Sequence, residues 1–137
     1  DLCARYPGQV HYLGFLPRRD DMARLLASVL AQKAVAAGAP LLLERHGAAP
    51  FTVEIAMGKA RTAALSGKET VRFETVANGN SEKPPRMALL SAPFVLMEGG
   101  VPIIVDGVTV GSIGVSGVTS AQDAQVAKAG VAALSIS

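Results

Sequence analysis

A chain of 137 residues, half of them apolar and 18% charged, can bury one core and is too apolar for a disordered segment. A formal charge of +2, with no basic stripe interleaved with aromatics, argues against nucleic-acid binding. The single cysteine, Cys3, excludes an internal disulfide framework and a Cys-based zinc cluster, and no apolar run approaches the ~20 residues of a membrane span.

Residues 1–19 read as an N-terminal extension, with a strand around Val10–Leu16, and residues 20–137 as one domain. Asp20 and Asp21 offer an N-cap, and Met22, Leu25, Leu26, Val29 and Leu30 recur at helical spacing, so a helix is expected over 21–37. Gly38 and Pro40 close it, LLLER at 41–45 is a short strand and HGAAP is a turn. A second helix is expected from Thr52 to Ser66, with Gly67 after it and an almost wholly small face of Val53, Ala56, Met57, Ala60, Ala63 and Ala64. TVRFETV suits strand or helix equally. NGNSEKPP is a loop, Pro85–Ser91 a short helix and Phe94–Met97 a strand.

Val101–Val105 and Val108–Ser116 then read as a hairpin closed by Asp106-Gly107, a dipeptide that supplies the positive φ angles of a tight turn. Gly111 and Gly114 fall on opposite faces of the return strand, where a missing side chain marks close approach by something else. A final helix is expected over 120–134, opened by a capping box of Thr119 with Gln122 or Ser120 with Asp123, and burying Ala124, Ala127, Val131 and Leu134. Three consecutive strands joined by tight turns make an antiparallel sheet, and helices must cover it, so the fold class is α+β.

EIAMGKARTAAL at 54–65 and GGVPIIVDGVTVGSIGVSG…QDAQVAKAGVAAL at 99–134 resemble the GlcG/HbpS-like family, the haem-degrading domain family. The resemblance covers about 22–134 and rests on an ordered set of motifs: KARTA on an Ala-rich helix, GG-x-P, the Asp-Gly hairpin, G-x-x-G-V-S-G and an Asp-bearing helix. It implies an antiparallel sheet flanked by helices in a profilin/Roadblock-like α/β/α sandwich. It also implies homo-oligomers, tetramers or octamers, with haem or another tetrapyrrole as a ligand of some members. Two departures stand out. Gly38-Ala39-Pro40 runs straight into LLLER where relatives carry a further strand, and Val101 replaces a threonine whose hydroxyl can reach iron in some haem-binding relatives.

The candidate site follows from helix-end chemistry. At Ser116-Gly117 a strand ends and a capped helix begins, and unpaired amides there attract carboxylate or phosphate oxygens. Gly99 and Gly100 allow another main chain to lie close. Lys59 and Thr62 share the polar side of the second helix, with Glu54 and Arg61 on it as well, and Lys59 is suited to an anionic ligand. Arg45 and His46 sit where a strand enters a turn; Arg45 could hold an acid group, and His46, one of two histidines with His11, is the candidate metal ligand. No nucleophile–base pair, P-loop or Rossmann pattern is present.

The favoured reading is a homo-oligomeric binding protein for haem, a related tetrapyrrole or a small organic acid, with no membrane span and no nucleic-acid partner. Two alternatives stand beside it. One is a lyase, isomerase or hydrolase acting on a small carboxylate, with Lys59 or Glu54 as proton carrier. The other is an assembly subunit without a ligand. The compartment stays open between cytoplasm and export after signal removal.

Overall fold

The computed structural model describes residues 48–134. The expected strand near 10–16, the helix over 21–37, the LLLER strand, and with them Arg45, His46 and His11, lie outside the described residues. Within them the order is α1 (Phe51–Ser66), α2 (Val71–Asn78), a 3-10 turn at Met87–Ser91, β1 (Gly100–Val105), β2 (Val108–Gly114) and α3 (Ser120–Ala133).

The hairpin forms as its sequence demands. Asp106 and Gly107 both take positive φ, 50° and 77°, and the strands pair antiparallel from Val105↔Val108 to Gly100↔Gly114. The register slips between Ile103 and Ile104, leaving Val110 as the extra residue of a bulge. Beyond β2, Val115 N donates to Gly99 O at 3.0 Å and carries the pairing one step further.

The two sheet faces receive different helices. Val101, Ile103, Ile113 and Val115 join Ala127 of α3 in the apolar core, with Val110, Val126, Val131 and Leu134 packed against it. Alternation turns Gly100, Pro102, Ser112 and Gly114 the other way, toward α1. There Ala56, Ala60 and Ala63 are fully buried. A Cβ on Gly114 would overlap Ala56 O and stand 2.5 Å from Ala60 N, so glycine is what lets helix and strand backbones meet. Ser112 Oγ completes the contact by donating to Ala60 O at 2.7 Å. The α+β layering of helix, antiparallel sheet and helix agrees with the expected sandwich.

Three details refine the sequence reading. Gly67 ends α1 in the left-handed region, φ 64°, with its amide on Ala63 O. The undecided TVRFETV segment is helical, as α2. Thr119 with Gln122, rather than Ser120 with Asp123, forms the capping box of α3.

One expected strand is absent. Phe94–Met97 is a bent segment: the Val95 amide within it donates to Thr62 Oγ1, and just beyond it Glu98 N donates to a Glu74 carboxylate oxygen, so neither amide enters a ladder. Val95 itself sits on the bare backbone of Gly58, where any Cβ would collide with it. The described sheet therefore has two strands where the sequence suggested three in a row.

Candidate functional site

Lys59 projects from α1 past the open end of the hairpin to Asp123 in the first turn of α3. Its ammonium donates to Asp123 Oδ2 at 2.8 Å and to Val115 O at 2.9 Å. The two side chains are 1% and 3% exposed, so water does not screen the pair. The second carboxylate oxygen, Oδ1, accepts from Val118 N at 3.2 Å, with the Gly117 amide beside it. Burial pushes the Asp123 carboxyl above the usual aspartate range, against the opposing pull of Lys59 and the two amides.

Gly99 leaves room for this pair. It adopts φ 123°, and a Cβ there would stand 2.8 Å from Asp123 Cβ and 2.9 Å from both Lys59 Nζ and Val115 O. Gly100 serves the neighbouring contact: a Cβ on it would overlap Lys59 O and lie 2.6 Å from Thr70 Cγ2. Its amide donates to Thr70 Oγ1 at 2.8 Å, and Thr70 N donates back to Gly100 O at 3.0 Å.

The structure thus brings Lys59, Gly99, Gly100, Ser116 and Gly117 to one place, yet as a packed seam. Lys59 is buried where the sequence reading set it on a polar, ligand-facing side. Amides around the start of α3 are answered from within the chain, Val118 by Asp123 and Gln122 by the Thr119 hydroxyl. Ser116 is 6% exposed, and Gly117 lies at the surface. Thr62 is buried as well, donating to Gly58 O at 2.9 Å and accepting from Val95 N. Glu54 stands apart from these residues, exposed on the outer side of α1.

That outer side borders a cleft of about 490 Å³ between α1 and the 92–95 segment. Its apolar lining includes Ile55, Met57, Phe94 and Val95, and its charged residues are Glu54 and Arg61. The volume is in the range of small-molecule sites, roughly 300–1,000 Å³. Among the described residues there is no cluster of three or more His, Cys, Asp or Glu side chains that could hold a metal, and no helix long and apolar enough to cross a membrane.

Asp123 and Thr70 are the partners that the sequence reading passed over. A signal for Asp123 existed: at helical spacing it shares a stripe with Ala127 and Gly130, both buried, just as Lys59 sits among Ala56, Ala60 and Ala63. One acid and one base, each alone on an otherwise small, apolar stripe, call for each other.

Residues 34–132 match the family model described as haem degrading protein HbpS-like. Two curated relatives, the GlcG proteins of Escherichia coli strains K12 and CFT073, are each 49% identical over 69 residues, covering 50% of this chain and 48% of the relative. The chain thus matches about half the length of these relatives. Among solved structures, Klebsiella pneumoniae protein ORFY superposes with TM-score 0.63 at 20% identity, covering 87% of this chain and 89% of that one. A double mutant of Streptomyces reticuli HbpS gives 0.60 at 25% identity over 85% and 83%. A PduOC–heme complex gives 0.64 at 20% identity over 90% and 97%. The structures at 20% identity speak to the fold alone.

Proposed function

This chain belongs to the HbpS-like family, and from that membership we propose that it is a homo-oligomeric binding protein whose ligand is haem or a related tetrapyrrole. The observation that carries the reading is the family match over 34–132, and the occurrence of the same fold in a PduOC–heme complex supports it. Within the described residues, the surface suited to such a ligand is the α1 cleft rather than the seam. A flat apolar ring would lie against Met57, Phe94 and Val95, and Arg61 would take a propionate as a bidentate partner. Glu54, expected from the sequence to contact the ligand, lines the same cleft.

Binding fits this geometry better than catalysis. Lys59 has no open cleft in which to meet a substrate, and Glu54 is exposed rather than enclosed. Exposed apolar side chains on α1 and the 3-10 turn, Phe51, Leu65, Met87 and Leu90, each more than 60% exposed, support association between copies. Titration with haemin tests the reading. A Soret shift with saturable binding is expected, weakened at least about tenfold in Arg61→Glu, since an exposed charge contact is worth roughly 1 kcal/mol and reversal adds repulsion. Absence of saturable binding overturns the tetrapyrrole reading. Haemin affinity unchanged in Arg61→Glu overturns its placement in the cleft.

A further inference from the structure

We propose that a second groove, bordered by the start of α2, β1 and α3, binds a small monocarboxylate that carries an apolar body. Its volume is about 440 Å³, within the roughly 300–1,000 Å³ of small-molecule sites. Its lining is of two kinds. Val71, Pro102, Ile104 and Val131 are apolar, and Lys68 and Arg72 are basic. Ile104 is 52% exposed, a large aliphatic side chain standing in water just past the register slip of the hairpin, where a bulge re-aims the strand.

The charges on this lining do not cancel. Glu69, the one acid among the lining residues, is paired with Lys128 at 2.8 Å. Among the described residues, Lys68 and Arg72 form no ion pair, and both are exposed. The groove therefore offers two cations to an anion. Arg72 suits a carboxylate as a bidentate partner, and Lys68 adds a point charge beside it. The apolar lining sets the rest of the ligand, because a hydrocarbon body laid on Ile104 and Val131 removes their surface from water. An acid without a body leaves Ile104 wet, and a body without an acid leaves the two cations unanswered. This groove shares no lining residue with the α1 cleft, so the inference goes beyond the tetrapyrrole reading and does not rest on it.

The test is titration of the full chain with sodium hexanoate at constant ionic strength, followed by two-dimensional amide NMR. Saturable shifts are expected at residues 67–72 and 101–104. Hexanol, which has the body without the charge, and acetate, which has the charge without the body, are each expected to bind at least about tenfold more weakly. Lys68→Glu/Arg72→Glu is expected to weaken hexanoate at least about tenfold, since two exposed charge contacts are reversed together. Should that double reversal disturb folding, Lys68→Gln/Arg72→Gln carries the same comparison. Arg61→Glu, altered only in the α1 cleft, is expected to bind hexanoate as wild type does. No saturable shift with hexanoate overturns the proposal, as does equal binding of hexanol, or hexanoate affinity unchanged in the Lys68 and Arg72 double variants. Each of these results stands whatever the outcome with haemin.

Discussion

The two faces of one hairpin solve the packing problem in opposite ways. Toward α3, the sheet offers Val101, Ile103, Ile113 and Val115, and stability there comes from apolar area removed from water. Toward α1, it offers Gly100, Ser112 and Gly114, and the contact is backbone against backbone, sealed by hydrogen bonds to Ala60 O and Thr70. A side-chain interface yields when one methyl is lost, whereas a backbone interface has nothing that can move aside. The Lys59–Asp123 pair joins both regimes around the open end of the strands, tying α1 to α3.

The largest effect separating these regimes is expected at the tie. Lys59→Met leaves Asp123 buried without its cation and is expected to cost about 3–5 kcal/mol in urea unfolding. Lys59→Met/Asp123→Leu is expected to recover most of that loss, because an apolar pair of similar volume avoids the desolvation of two ions. A single variant as stable as wild type would show that the pair is not closed.

Next come the two faces themselves. Gly114→Ala is expected to cost about 3 kcal/mol, the upper end for overpacking, because the added methyl meets the α1 backbone at Ala56 and Ala60. Ile113→Val, on the neighbouring residue but the opposite face, is expected to cost about 0.5–1.5 kcal/mol. Equal costs would erase the distinction between the faces.

The smallest effect is a dependence on pH. Burial raises the folded pKa of Asp123 above its unfolded value, about 3.9. The folded chain therefore holds this proton more tightly than the unfolded chain does. The stability so contributed is complete below about pH 3.9 and is lost as pH rises through the folded value. Asp123→Asn cannot titrate, so the stability of wild type relative to it is expected to fall as pH rises from about 4 through the raised folded value. A relative stability that climbs over this interval would mean that the attraction of Lys59 outweighs burial.

What was legible in the sequence divides along local and non-local lines. Asp106-Gly107 and Thr119 with Gln122 specify a turn and a cap through their own neighbours, so the hairpin and the start of α3 are readable without tertiary knowledge. The glycines at 99, 100 and 114 announced close approach, but not by what. The answer lies at Lys59, Ala56, Ala60 and Asp123, up to 58 residues away for Gly114 and Ala56. Phe94–Met97 has strand-like composition, yet Thr62 and Glu74 take the Val95 and Glu98 amides, and no local pattern reveals such partners. Lys59 misled for a related reason: lysine is rarely buried, and only its matching acid on a distant helix makes burial tolerable.

The closed seam is tested most directly by native-state lysine labelling, using formaldehyde with cyanoborohydride and peptide mass spectrometry. Lys59 is expected to stay unmodified while the exposed Lys68, Lys83 and Lys128 react, and to react only once the chain is unfolded in denaturant. Modification of Lys59 in the native protein as fast as at those three lysines would contradict a buried, paired ammonium.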